Sequence, residues 1–169
     1  MNQKKNEKVR VLAVAPTNRG FGYVVLEGQG EILAFGCKKA RGDKKNQQVL
    51  VQVGKLADQW LPDVLALQDV HTKESRRAPR IKKLHRQLRQ FAQSRTVKVV
   101  QFSARQLREI IVNDPKGTRH EMAADIARQF PNELAETLPP KRRACDEEDE
   151  RMSIFDASAL VIGFLKGGK

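Results

Sequence analysis

The sequence of 169 residues predicts a single α/β domain in which helices flank a mixed five-stranded sheet. Three apolar runs near the amino terminus are separated by turn-forming residues, which is the pattern of two consecutive antiparallel hairpins. Two later apolar runs each follow a segment of helical periodicity, and helical crossovers join parallel strands. A chain of this length buries one core without disulfides or metals to stabilise it.

The order of the elements follows from apolar spacing and from capping residues. We predict strands over 9–15, 21–27 and 31–36, a helix over 48–60, a strand over 63–70, a helix from Pro79, a strand over 96–102 and a last helix over about 148–166. After the fifth strand, Ser103 predicts one N-cap, and Thr118 with Glu121 forms a capping box for another helix. Residues 1–8 are predicted to be a disordered basic tail and 167–169 a frayed end, which leaves 9–166 as the domain.

The charge of the chain favours a polyanionic partner. The sequence contains 32 Lys and Arg against 20 Asp and Glu, a net charge of +12. In a single domain such an excess is typical of nucleic-acid binding, to DNA or to RNA. Association with a ribosome or a membrane surface is the competing interpretation.

The cysteines and histidines give no sign of a metal or redox centre. The two cysteines have no metal-ligand or redox spacing, and neither have His71, His85 and His120, which we interpret as surface residues. The sequence has no secretory leader and no apolar run of about 18 residues, the length that predicts a transmembrane helix. We therefore expect a cytoplasmic protein with no part in the membrane.

Basic residues are concentrated between 71 and 90. The helix from Pro79 has apolar residues at three-to-four spacing, which leaves its basic residues on the flank and outer face. A solvated helix face is the alternative, but such a face normally mixes charge signs, and this stretch has a single acid, Glu74. Together with Arg19 in the first turn, the residues predicted to bind nucleic acid are Lys73, Arg76, Arg77, Arg80, Lys82, Lys83 and Arg86.

Apolar runs are interrupted at three further points, and we expect these points to form one site. The first strand ends at Ala15-Pro16, Gln68 lies in the run LALQDV, and Asp156 lies in the run IFDASALVIGF. A carboxylate in apolar surroundings is costly unless it is paired, bound to a metal or at the edge of a cleft. Arg19 is a candidate partner for Asp156.

These segments resemble the RuvC-type Holliday-junction resolvases. In that family the first strand ends in Asp-Pro-Gly, the fourth strand ends in a glutamate, and the C-terminal helix is built around Asp-Ala-x-Ala-Leu, which is Asp156-Ala157-Ser158-Ala159-Leu160 in this chain. The resemblance covers most of residues 9–166. It implies an RNase H-like fold, a homodimer, and cleavage of branched DNA with two Mg²⁺ ions held by four acids.

Only one of those four acids is present at the matching positions. The resemblance places the catalytic site on Ala15, Gln68, Ser153 and Asp156, of which only Asp156 offers a carboxylate to a metal. Asp69 is expected to face away from Gln68, because side chains alternate along a strand. Asp149 is expected roughly 10 Å from Asp156, too far to share an ion. We therefore interpret the acids over 146–150 as a first helical turn that complements the helix dipole.

Three functions stay open on this basis. The first is a RuvC-like nucleic-acid-binding protein that has lost catalysis, by natural decay or through substitutions made to trap an inactive complex. The second is an active Mg²⁺-dependent endonuclease whose natural form has an aspartate in place of Ala15 and a glutamate in place of Gln68, or which uses Asp69 and Asp149. The third is an actin-like nucleotide-binding relative.

Overall fold

A computed structural model of the chain describes residues 8–73 and 75–167. Its strands are β1 (Arg10–Thr17), β2 (Gly20–Glu27), β3 (Glu31–Lys39), β4 (Val64–Gln68) and β5 (Lys98–Phe102). Its helices are α1 (Lys45–Trp60), α2 (Pro79–Ser94), α3 (Ala104–Val112), α4 (Arg119–Gln129), α5 (Pro131–Leu134) and α6 (Met152–Gly167), and a 3₁₀ turn follows α5 at Ala135–Thr137.

The five strands form one mixed sheet with the order β3-β2-β1-β4-β5. β1, β2 and β3 are antiparallel, whereas β4 and β5 run parallel to β1 through crossovers that contain α1 and α2. β1 takes the central place because its sequence RVLAVAPT is apolar on both faces and is buried there. The predicted mixed five-stranded sheet flanked by helices, with the elements in the predicted order, is confirmed.

Helices cover both faces of the sheet and enclose two cores. α3, α4 and α6 pack on one face, and α1 and α2 pack on the other. Side chains of β1 alternate between them: Ala13 and Ala15 face α6, whereas Leu12 and Val14 face α1 and α2. α6 is apolar on nearly every side because it lies between the sheet and the pair α3 and α4.

The predicted caps of two helices are confirmed. Ser103 Oγ accepts a hydrogen bond from the backbone N–H of Gln106 at 3.1 Å, at the start of α3. Thr118 Oγ1 accepts one from Glu121 N–H at 3.1 Å, and the Glu121 carboxylate accepts the Thr118 N–H in return. These bonds fix where α3 and α4 begin.

The last helix begins later than predicted. α6 begins at Met152, so the acids over 146–150 precede it, and the prediction that they form its first turn is wrong. The reason is local, since the Asp149 carboxylate accepts the N–H of Arg151 at 2.9 Å and holds the chain in a turn. At the end of the same helix, Gly167 is still helical, whereas residues 168 and 169 lie outside the described chain.

Two further predictions concern the amino-terminal tail and a membrane-spanning helix. Most of the predicted tail over 1–8 lies outside the described residues, which begin at Lys8. None of the helices in residues 8–73 and 75–167 combines the length and the apolar character that a membrane span needs.

His85 is buried, and its assignment to the surface is wrong. It has no exposed area, and its Nδ1 lies 2.9 Å from the carbonyl oxygen of Ile81. The apolar stripe of α2 explains this place, because His85 follows Ile81 by one helical turn and lies beside Leu84 and Leu88. Burial, assisted by the nearby charge of Arg77 and opposed by the bond to Ile81, lowers the pKa of His85 to about 4.

The depressed pKa of His85 predicts acid sensitivity. Between about pH 6.5 and pH 4 the unfolded histidine, with a pKa near 6.5, binds a proton, whereas the folded one stays neutral. The contribution of His85 to the free energy of unfolding is therefore complete above about pH 6.5 and is lost towards pH 4. We expect a loss of about 2 kcal/mol in the free energy of unfolding between pH 7.5 and pH 5. Urea unfolding of a His85→Leu variant should show a drop smaller by that amount, with the exposed His71→Leu as control. An unchanged pH dependence in His85→Leu would contradict the assignment.

Candidate nucleic-acid interface

A cleft of about 440 Å³ lies at the carboxyl ends of β1 and β4, where the first half of α6 packs against the sheet. Ala15 lines it from β1, Gln68 from the end of β4 and Asp156 from α6. Gln68 shares a strand face with Ala66, which packs toward α6, so strand alternation directs Gln68 into the cleft, whereas Asp69 does not line it. The structure thus brings together three of the four positions that the resemblance names.

Asp156 is already paired inside this cleft. Arg119, the first residue of α4, donates from Nε to Asp156 Oδ1 at 2.8 Å and from Nη2 to Oδ2, while its Nη1 donates to Glu148. The expected partner Arg19 is not the one used, because its Nη2 lies 3.0 Å from Glu147. Although partial burial lowers the pKa of Arg119, hydrogen bonds to Asp156 and Glu148 and their charges raise it further than burial lowers it. The guanidinium therefore stays charged and neutralises Asp156.

Ser153, the fourth position, lies in the packing contact between α6 and the sheet. It is buried, its Oγ donates to the carbonyl oxygen of Glu150 at 2.7 Å, and it lies 3.4 Å from Cys37 Sγ on β3. Gly22 of β2 lies directly against the Ser153 backbone, so close that a Cβ on Gly22 would overlap its carbonyl group. An acid at this position would have to enter a space that β2 and β3 fill.

The close approach of Gly22 and Ser153 predicts that any side chain added at position 22 destabilises the fold. We expect Gly22→Ala to lower the free energy of unfolding by about 1–3 kcal/mol, because β2 and α6 must separate to admit the methyl group. Gly54→Ala in α1 is the control, since its Cβ would meet Phe91 at an ordinary 3.8 Å and alanine favours a helix. Equal unfolding midpoints in urea for the two variants would contradict this packing.

Gln68 has an arginine as its neighbour. Arg77, from the loop before α2, is half-buried and donates from Nη2 to Gln68 Oε1 at 3.4 Å, a long hydrogen bond. Burial lowers the pKa of Arg77. The negative charge of Asp156 raises this pKa, and the positive charge of Arg119 lowers it further. Two guanidinium groups therefore lie close together in this cleft.

The donor set does not fit a pair of magnesium ions. Hard divalent cations require several oxygen ligands, chiefly carboxylates. Ala15 offers no ligand atom, Gln68 offers one neutral oxygen that Arg77 contacts, and Asp156 is bonded to Arg119. No cluster of three or more acids, histidines or cysteines suited to a metal ion exists among residues 8–73 and 75–167. The cations in this cleft are arginine side chains.

A second, basic groove of about 580 Å³ continues from the cleft beyond Gln68. The loop after β4, the first turns of α3 and the turn before α4 form its walls. Among the described residues its one lining acid is Asp69, which accepts the N–H of His71 at 3.0 Å. We call this surface the basic groove, and its basic residues are Arg76, Arg77, Arg105, Arg108 and Lys116.

The predicted nucleic-acid-binding residues separate into three groups. Arg76 and Arg77 line the basic groove, and Arg19 lines the cleft. Arg80 points inward, since it donates to Asn46 Oδ1 at 2.8 Å and to the Thr17 carbonyl at 3.1 Å. The others are on the loop after β4 or on α2 and line neither surface within the described chain: Lys73, Lys82, Lys83 and Arg86.

Four basic residues of these surfaces were missed by the sequence analysis. Arg119 stands directly after the capping residue Thr118, and nothing in that pattern indicates a bond to Asp156, 37 positions away. Arg105 and Arg108 are three residues apart in α3, a spacing that places them on one helix face and was an available signal. The fourth, Lys116, lies in a turn.

Comparison with solved structures identifies the architecture. Thermus thermophilus RuvC superposes with a TM-score of 0.67 at 13% identity, covering 91% of this chain and 92% of that one. The fold is that of RuvC. The same protein in complex with Holliday junction substrate gives 0.63 at 14% identity, over 91% of each chain. Ydc2, the yeast mitochondrial Holliday junction resolvase, gives 0.64 at 14% identity, over 93% of this chain and 78% of its own.

The comparison confirms the predicted RNase H-like fold of the RuvC-type resolvases. No protein-family model and no curated protein matches the chain in sequence. At identities of 13–14% the similarity to these resolvases is one of fold.

Proposed function

We propose that the chain is a nucleic-acid-binding protein of RuvC type that binds branched or duplex DNA and does not cleave it. The observation that carries the proposal is the pairing of Arg119 with Asp156 in the cleft where the resemblance places two metal ions. A basic groove adjoins this cleft, and the five basic side chains against one acid in its described lining suit a phosphate backbone. The similarity of fold to a resolvase bound to a Holliday junction supports DNA as the partner.

The alternative of an endonuclease that lacks only two acids receives less support. Restoring carboxylates at Ala15 and Gln68 would leave Arg119 bonded to Asp156 and Ser153 packed against Gly22. The loss of the metal site therefore extends beyond two positions, into the packing of α4 and α6. A nuclease that uses Asp69 and Asp149 is not favoured either, because Asp69 lines the basic groove and not the cleft, and Asp149 bonds Arg151 at 2.7 Å.

Three further expectations stay predictions from the sequence. A homodimer would present two basic grooves to the two-fold symmetry of a four-way junction. RNA is the other candidate nucleic acid, and the charge of the groove alone does not distinguish it from DNA. A cytoplasmic location is the third.

Binding to a four-way junction and to a linear duplex of the same arm sequence tests the proposal. Fluorescence anisotropy between 50 and 300 mM salt, roughly the range in which phosphate contacts weaken strongly, should show tighter binding to the junction and a linear fall of log affinity with log salt. Denaturing gels of the same samples with Mg²⁺ or Mn²⁺ should show intact strands. Cleavage would contradict the loss of catalysis, and equally weak binding of both DNAs would contradict the preference for branched DNA.

A further inference from the structure

Arg77 is a partly desolvated cation with a weak internal partner. Its guanidinium is half-buried and makes one long hydrogen bond, at 3.4 Å, to the neutral amide oxygen of Gln68. Among residues 8–73 and 75–167, no carboxylate lies within 4.0 Å of it. Taking an arginine out of water costs free energy that a neutral amide only partly returns. The arrangement favours the arrival of an anion.

The acids of the cleft do not supply that anion, because each is bonded to another cation. Asp156 and Glu148 bond Arg119, Asp149 bonds Arg151, and Glu150 lies 3.8 Å from Lys39. Arg108 lines the same cleft as Arg77, and its Nε donates to the Pro115 carbonyl at 2.9 Å. The wall between β4 and α3 is therefore cationic, whereas each described carboxylate that lines the cleft from α6 and from the segment before it is already paired with a basic side chain.

A phosphodiester fits this wall chemically. Its two non-bridging oxygens match the parallel N–H bonds of a guanidinium, which is the arrangement that makes arginine a strong phosphate ligand. The amide of Gln68 accepts from Arg77 through Oε1, and its NH₂ group is then a donor for the same phosphate. A glutamate at position 68 would instead repel it.

We propose that Arg77, Gln68 and Arg108 form a phosphate pocket that binds one backbone phosphate of the nucleic acid where a metal-dependent resolvase would hold it on metal ions. This inference rests on the proposed function, because it names the contact that the bound strand makes in the cleft. Guanidinium groups replace the cations that would hold the phosphate. No carboxylate free to activate a water lies in the described cleft, so the bound strand stays intact.

Binding of two probes, inorganic phosphate and the four-way junction, is measured for the unaltered full chain, for Arg77→Gln and for Lys98→Gln. Lys98 is the matched control, since it is exposed and pairs with Val64 at the opposite end of β4 from Gln68. We expect Arg77→Gln to weaken junction binding by about tenfold, the effect of losing one charged hydrogen-bond pair, and Lys98→Gln by less than about twofold. Inorganic phosphate should raise the melting temperature of the unaltered chain and of Lys98→Gln, but not that of Arg77→Gln.

Gln68→Glu is a second variant that keeps every positive charge. Its carboxylate should pair with Arg77 and remove both the phosphate-induced stabilisation and about the same tenfold in junction affinity. Junction binding that is equal in Arg77→Gln and Lys98→Gln would overturn the pocket and leave the proposed function intact. Phosphate stabilisation that depends on Arg77, in a chain that binds no DNA, would support the pocket and overturn the proposed function.

Discussion

A variant with Arg76, Arg105, Arg108 and Lys116 changed together to glutamine is expected to bind a four-way junction at least about a hundredfold more weakly near 0.15 M salt. These four side chains belong to the basic groove, and none of their contacts holds the core. Arg105 has an exposed i,i+4 pair with Glu109 at 3.3 Å, which is worth little and can give way to a phosphate. The slope of log affinity against log salt should fall by about 3–4, close to one unit for each charge removed.

The matched control removes four charges from α2. It carries the same loss of net charge on the flank and outer face of α2, where the sequence pattern places basic residues. The residues changed to glutamine are Lys82, Lys83, Arg86 and Arg89. We expect this variant to lose far less affinity, because these side chains lie outside the basic groove. The opposite ranking would move the interface to α2. Unfolding midpoints of both variants exclude misfolding as the cause.

Interruptions of apolar runs, together with the family resemblance, made the centre of the site predictable. Ala15, Gln68 and Asp156 are far apart in the sequence. Ala15 precedes Pro16 near the end of β1, Gln68 ends β4, and Asp156 interrupts the apolar run of the last helix. The parallel neighbours β1 and β4 end at the same edge of the sheet. Because side chains on one face of a sheet point the same way, Ala15 and Gln68 are expected to lie close together once the strand order is known. The same logic predicted that Asp69 would face away.

Long-range polar contacts were not predictable in this way. The bond from Arg119 to Asp156 depends on how α4 packs against α6, and any of many arginines satisfies the same sequence pattern. The basic groove is assembled from three separate segments, so no run of residues reveals it. His85 is different, because its spacing from Ile81, Leu84 and Leu88 placed it on the apolar stripe of α2. The basic neighbours of His85 suggest a surface position, whereas its helical spacing indicates burial.

A divalent-cation site is expected to appear only when Arg119 is removed together with the restoration of acids. In Ala15→Asp/Gln68→Glu, Arg119 still bonds Asp156, and Arg77 can pair with the carboxylate introduced at position 68. Two guanidinium groups then neutralise much of the acid cluster. Adding Arg119→Ala leaves Asp156 free to join the two new carboxylates, which cannot all stay charged and close together without a cation.

Melting curves with and without Mn²⁺ measure this difference. At a hundredfold excess over its dissociation constant, a bound ion stabilises the folded chain by about 2.7 kcal/mol, or about 5–10 °C for a domain of this size. We expect that shift in Ala15→Asp/Gln68→Glu/Arg119→Ala and a much smaller one in Ala15→Asp/Gln68→Glu, in Arg119→Ala and in the unaltered chain. An equal Mn²⁺ shift with and without Arg119 would mean that this guanidinium does not exclude the metal. Since Ser153 stays packed against Gly22, the triple variant still lacks the fourth acid, so binding of the ion rather than cleavage of DNA is the decisive measurement.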